Sequence, residues 1–225
     1  MSKTNTGLVD YCKAQLGRPY WMGTFGQTAS AALLAQKRRQ LPVYYSAADF
    51  PSQYGQRVHD CIGLVKGYIW SDTPNSAPVY ASNGCPDIDE ADMYVRCKEK
   101  GTIGTIPEIP GVLVFFQGHV GVYIGGGEVI EARGHAWGVV KTQLKNRPWN
   151  KWGKCPYITY EEDDMTGEQI YKALNEYLRE QPCPEWAKAE LEEAVAMGIT
   201  DGSRPCELIP RYQAAIMAKR AKEQR

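Results

Sequence analysis

Apolar positions along the chain change period midway. Leu8, Tyr11, Cys12 and Leu16 fall on one face of a helix that Gly17 can end. The run TASAALLAQKRR, from Thr28 to Arg39, consists of good helix formers, with Thr28 placed to cap them. From Leu41 to Val58 the sequence turns aromatic and irregular, a connection long enough to carry function. Asp60 then stands as a cap before CIGLVKGYIW, in which Ile62, Val65 and Ile69 share a helical face and Cys61 occupies the first turn. Between Pro86 and Lys100 an acidic start and a basic end, with Lys98 and Lys100 in the last turn, predict another helix.

The period then falls to two. VLVFF (112–116), HVGVYIG (119–125), EVIEAR (128–133) and GVVKT (138–142) are short β-branched or aromatic runs separated by glycine-containing turns, which predicts antiparallel strands. Helices followed by consecutive strands make an α+β domain. The acidic stretch EEDDM (161–165) reads as a linker. Beyond it, Thr166 and Gln169 have capping-box spacing, and the helix they open runs to about Arg179. A second helix over 185–198 turns Trp186, Leu191, Ala194 and Val195 inward and is closed by Gly198, and Pro210 starts a third. The expected organisation is therefore a main domain over 1–160 and a small helical module over 161–225.

Composition narrows the classes. Hydrophobic residues make up 43% and charged residues 23% of 225, which excludes disordered, collagen-like and coiled-coil chains. A net charge of zero argues against a nucleic-acid binder held by phosphate contacts. The balance is uneven, however: residues 1–160 hold 17 Lys and Arg against 12 Asp and Glu, while the remainder holds 9 against 14. With no apolar run of about 18 residues, no membrane span is expected. The opening residues lack the basic start and apolar core of a secretion signal, so synthesis in the cytoplasm is expected. The seven cysteines are odd in number and include no C-x-x-C pair, which favours reduced thiols over a disulfide framework or zinc ribbon. Cys85, Cys97, His135 and Cys155 are ligand types for zinc, but their spacings match no familiar pattern, and neither metal nor cofactor is expected.

Three residues stand out chemically. Cys61 sits at a helix start, where partial positive charge favours a thiolate, and His119 begins a strand and can supply a base. A turn at Gly126-Gly127 would pair the strands beginning at His119 and Glu128, setting His119 near Arg133 and Glu131 diagonal to His119. A carboxylate there can orient an imidazole. Each residue also has an ordinary reading: cysteine as a small core side chain, histidine as a satisfied strand-end residue, glutamate as a solvated charge.

At these positions the sequence resembles the NlpC/P60 papain-like peptidases of bacterial cell walls. Gly17-Arg18-Pro19-Tyr20 with Gly23, Asp60-Cys61-Ile62-Gly63-Leu64, and Gly118 through Gly125 match that family's blocks in order. The resemblance implies a papain-like fold and a peptidase acting on peptidoglycan stem peptides after γ-D-glutamyl, in the manner of a phage-type lysin released by lysis. It implies Cys61 as nucleophile, His119 as base and acid, Glu131 as third residue, Tyr20 beside the thiol, and Asp60 as receiver of a free amine. Among the aromatics, Trp21, Tyr44, Tyr45 and Tyr54 are candidates for the cleft, and His135 and Trp137 for its rim. Departures are Ile62 where serine is frequent, Val112 where an aspartate usually stands, and Thr24 where a glycine does. The alternatives are an inactive wall-binding or structural protein that keeps the fold, and an amidase cutting between sugar and peptide. The tail resembles one surface-layer-homology repeat, with Ile199-Thr200-Asp201-Gly202 and Arg211 at its landmark positions, which implies binding of a secondary wall polymer through residues 185–220 or self-association.

Overall fold

The computed structural model describes residues 3–73, 75–161, 167–208 and 211–223. Thr166 and Pro210, and the side chains of Gln169 and Arg211, lie outside the described residues. Two compact units are present, Met1–Glu161 and Glu162–Arg225.

The first unit is α+β, with helices packed on an antiparallel sheet. Helix α1, Asn5–Ala14, begins where Thr4 accepts from the Gly7 N–H at 3.1 Å, and buries Leu8, Tyr11 and Cys12. It stops two residues before Leu16, which is 42% exposed. Thr28 does not cap the second helix: it ends strand β1, Phe25–Thr28, and Ser30 caps α2, Ala31–Gln40. Strand propensity at Phe25 and pairing with β2, Arg57–His59, override the helical composition at this end. Two single 3-10 turns, Pro42–Tyr45 and Phe50–Gln53, fill the irregular aromatic stretch.

Helix α3, Cys61–Trp70, is buried on every side rather than on one face. Its apolar side chains Ile62, Leu64, Val65 and Ile69 each gain about 1.5–3 kcal/mol from burial. Two glycines allow the surroundings to close on it. A Cβ at Gly63 would lie 1.8 Å from the Thr24 carbonyl oxygen, and one at Gly67 2.6 Å from that of Phe25. Helix α4, Glu90–Arg96, is capped by Asp89 and ends before the expected lysines. Lys100 instead reaches back to the carbonyl oxygens of Tyr94 and Val95 at 3.0 and 2.8 Å, which suits the negative end of the helix.

The remaining strands are β3 (Lys100–Thr102), β4 (Leu113–Phe116), β5 (His119–Gly125), β6 (Glu128–Ala132), β7 (Val139–Gln143) and β8 (Lys151–Gly153). They form one six-stranded sheet in the order β3-β8-β4-β5-β6-β7. The runs that form β4 to β7 were legible from their alternation; β3 and β8 have only three residues each, too few to show a period. Leu113, Phe115, Val120, Val122, Ile130 and Ala132 turn to α1 and α3, whereas Val114, Tyr123, Val129 and Trp149 build a smaller core on the other face.

The second unit holds α5 (Gly167–Arg179), α6 (Lys188–Ala196) and α7 (Arg211–Glu223). Arg179 pairs with Glu207 at 3.2 Å, and the Leu208 N–H donates to Asn175 Oδ1 at 2.9 Å. The expected inward set is only partly inward: Trp186 is 82% exposed and Val195 41% exposed. Three short helices offer little interior to bury a tryptophan.

Candidate active site

Cys61 opens α3, and the cap beneath it is tied to the loop before β1. One Asp60 carboxylate oxygen accepts from the Gly63 N–H at 2.5 Å and the other from the Gly23 N–H at 2.8 Å. The Asp60 N–H in turn donates to the Thr24 carbonyl at 2.9 Å. Cys61 is 9% exposed, and the backbone N–H groups of Ile62 and Val120 reach its sulfur. Val120 is the next residue after His119, so the α3 start and the β5 start meet at this point. Burial, reinforced by the charge of Asp60, pushes the thiol up to about 12. The helix-start effect expected from sequence is outweighed, and the resting site holds a neutral thiol.

His119 is buried beside that junction. Its Nε2–H donates to Glu131 Oε2 at 2.7 Å, which leaves Nδ1 with the lone pair of the neutral ring. Trp149 stacks on the imidazole with centroids 5.6 Å apart and planes 19° apart, and the Phe116 ring lies 5.0 Å away.

Glu131 has no exposed surface, yet its carboxylate is satisfied on both oxygens. Oε1 accepts from Thr142 Oγ1 and Arg147 Nε, both at 2.8 Å, and Oε2 accepts from Arg147 Nη2 at 2.9 Å besides His119. Burial alone would raise this carboxyl; the donors of His119, Arg147 and Thr142 more than offset it and hold it below the usual range. Neither Arg147 nor Thr142 was singled out in the sequence. Thr142 follows from the β6–β7 register, in which it pairs with Val129 on the face that also carries Glu131. Arg147 sits in an irregular segment before Pro148 and left no periodic signal.

The other expected residues separate. Tyr20 is half-buried, its hydroxyl donating to Met22 Sδ at 3.2 Å, and burial with the nearby Cys61 and Asp60 keeps the phenol protonated. It lines a groove of about 240 Å³ with Met22, Tyr44, Phe50, Gly134 and His135. The His135 Nε2–H donates to Asp49 at 2.8 Å on this rim, while Trp137 is exposed and stacked under Arg133. Trp21 does not face the groove. It is fully buried between Tyr45 and Phe50 and donates to Gln53 Oε1 at 2.6 Å, because the loop folds inward around it. Tyr45 is buried with it, and Tyr54 is exposed outside the groove lining. Asp60 accepts one backbone N–H on each oxygen and so caps the helix. Cys85, Cys97 and Cys155 are buried in the main core away from the rim residue His135. Among the described residues no three His, Cys, Asp or Glu side chains converge as metal ligands would.

The model of the NlpC/P60 family matches residues 50–156, a stretch that holds Cys61, His119 and Glu131. Similar solved structures include the P60 domain of an antigen from Mycobacterium avium subspecies paratuberculosis, 18% identical with a TM-score of 0.41, covering 69% of this chain and 96% of that one. Another is the NlpC/p60 domain of the peptidoglycan hydrolase SagA, 14% identical with a TM-score of 0.38, covering 67% and 97%. A third is the peptidoglycan hydrolase RipB from Mycobacterium tuberculosis, 20% identical with a TM-score of 0.37, covering 69% and 67%. No curated protein matches the chain.

Proposed function

We propose that this chain is a cysteine peptidase of bacterial cell walls, cleaving a peptide bond in peptidoglycan stems after γ-D-glutamyl. The observation that carries the reading is the junction of α3 with β5. Cys61 lies against the Val120 N–H, and the adjacent His119 has Nε2 committed to Glu131, so its free lone pair is the one available to the thiol. The NlpC/P60 match over residues 50–156 supports the substrate class.

In this reading the neutral thiol gives its proton to His119 Nδ1 as the sulfur attacks the scissile carbonyl. Glu131 steadies the imidazolium that forms. Backbone N–H groups at the start of α3 that the Asp60 cap does not take stabilise the developing oxyanion in this reading. His119 then protonates the leaving amine, and water releases the acyl group. Tyr20 and the groove beside it receive the substrate, and the exposed Trp186 of the C-terminal unit is the first place to seek a wall-polymer contact.

Digestion of purified walls with the full chain, followed by mass spectrometry of the muropeptides, tests this. Stems cut within the peptide are expected, and none with Cys61→Ala. Intact stems freed from muramic acid would replace the peptidase with an amidase, and equal digestion by Cys61→Ala would end the nucleophile assignment. No digestion by the parent would favour a wall-binding protein that keeps the fold.

A further inference from the structure

We propose that Arg147 is a positioning residue that balances the charge of Glu131, so that His119 is oriented by a neutral carboxylate–guanidinium unit instead of a bare carboxylate. The inference rests on the reading of Cys61 and His119 as the reacting pair.

The geometry is that of a fork. Arg147 Nε and Nη2 donate to the two different oxygens of Glu131 at 2.8 and 2.9 Å, the two-point arrangement that a guanidinium makes and an ammonium cannot. The guanidinium is fixed from a second direction by aromatic faces, its carbon 5.4 Å from the Phe116 ring centre and 5.9 Å from that of Trp149. These are the same two rings that pack on His119. Imidazole, carboxylate and guanidinium are therefore held as one body, and a shift of Arg147 moves the oxygen that orients His119.

Charge explains why the third member is needed. A carboxylate with no exposed surface requires a compensating cation. Were His119 its sole partner, that cation would have to be the imidazolium, and the ring would lose the lone pair with which it takes the thiol proton. Arg147 supplies the positive charge permanently and frees His119 to be neutral. The groups that face the pair are Arg147 from the segment after β7 and Thr142 from β7, and on the α3 side the Cys61 sulfur lies against the Val120 N–H next to His119. Lys141 of β7 is turned to the opposite side, where it pairs with Glu128 at 2.8 Å.

The test is the titration of the His119 ring by NMR in the full chain, with selectively labelled histidine and a His119→Asn variant for assignment. Arg147→Gln should raise the midpoint by about one pH unit or more, because the carboxylate then favours imidazolium. Glu131→Gln with Arg147 retained should lower it, since the unmatched guanidinium opposes a second cation. The double variant, again neutral, should return close to the parent, and Arg147→Lys should shift it less than Arg147→Gln. In wall digestion, the acid limb of kcat/KM should follow the same order. Midpoints that fail to move in opposite directions in the two single variants overturn the proposal. If Arg147→Gln does not fold, a Glu131→Gln midpoint at or above the parent's overturns it alone. The ring titration needs no catalysis. Midpoints that move as stated in a chain without hydrolysis would remove the peptidase reading and leave the charge balance standing, whereas hydrolysis with unmoved midpoints would remove only the charge balance.

Discussion

His119 and Glu131 are joined at 2.7 Å although they are diagonal, not opposite, on neighbouring strands. The β5–β6 ladder pairs Val122 with Ile130, and following it inward sets the side-chain-free Gly121 across from Glu131. A Cβ at Gly121 would meet Val129 at 2.7 Å and Trp149 at 2.9 Å, so this glycine lets Trp149 close over the imidazole. The turn is held by Glu108, which accepts from the Tyr123 hydroxyl at 2.5 Å and the Gly126 N–H at 2.6 Å.

Removing the carboxylate should cost more than the contact it makes. Glu131→Ala leaves the mostly buried Arg147 guanidinium without its counter-ion, and loss of one partner of a buried pair costs about 3–5 kcal/mol. Glu131→Gln, which retains an acceptor, should lose less. Urea unfolding of the two variants checks the order, and equal midpoints would mean that the pair contributes little to folding.

Gly63→Ala should be among the most damaging single-methyl changes in α3. The added Cβ would lie 1.8 Å from the Thr24 carbonyl oxygen, which itself accepts the Asp60 N–H, so relief requires moving the helix start from the loop that caps it. The intrinsic gain of alanine over glycine in a helix, about 1 kcal/mol, is smaller than such a displacement costs. Thermal melting should show a lowered midpoint and wall digestion a large loss; a stabilised Gly63→Ala would contradict the close approach.

The sequence made much of this site legible because local patterns sufficed. Asp60 announced a cap and alternation marked β5 and β6, but the two-glycine turn did not set their register: it pairs Gly125 with Glu128, and an irregularity between Tyr123 and Gly125 shifts the ladder by one, which is what turns Glu131 to the face of His119. Long-range charge pairing was not legible: Arg147 meets Glu131 only because the chain after β7 doubles back, and no spacing encodes that. Trp21 looked like a cleft aromatic because composition cannot tell a tryptophan lining a groove from one closing a core; the Tyr45–Phe50 cluster decided it. Val112, which stands where the resembled family usually has an aspartate, is fully buried in the outer core with Val114 and Tyr123, and so serves packing here.

Asp60→Asn separates a cap from an amine receptor. Both carboxylate oxygens accept backbone N–H groups, whereas an amide has one acceptor oxygen and would turn its NH2 toward the other donor. Loss of one such bond to a buried group costs about 1–3 kcal/mol. The expected result is lower stability, with the remaining activity equally reduced on substrates bearing a free or a blocked amino terminus. A drop confined to free-amine substrates would assign Asp60 to substrate instead.

His59 makes stability fall on the acid side. Burial, followed by Arg57 and Arg18, pushes its ring down to about 3, while Tyr11 shares a hydrogen bond with Nε2 at 2.9 Å. The folded value lies below that of a free imidazole, about 6.5. The contribution is therefore present above that pH and shrinks as pH falls toward 3, by about 1.4 kcal/mol per unit. Urea midpoints between pH 6.5 and 4 should fall less steeply in His59→Gln, and parallel curves would refute the assignment.

The thiols act at the other end of the scale. Burial pushes Cys85 and Cys97 up to about 11 and Cys61 to about 12, and raises Cys12 and Cys155 further. In the unfolded chain these groups ionise near 8.5. Folded values above unfolded ones mean that the contribution is whole below about 8.5 and is lost as pH rises through the folded values. Each thiol that ionises only when unfolded should remove about 1.4 kcal/mol per pH unit in that window. Buried tyrosines such as Tyr11 titrate in the same direction, so the slope of the parent alone does not isolate the sulfur. Cys155→Ala does: it removes one fully enclosed thiol, and its stability between pH 9 and 10.5 should decline less steeply than the parent's by that amount. Equal slopes would show that water reaches Cys155 in the folded protein, and with it the core beneath α3.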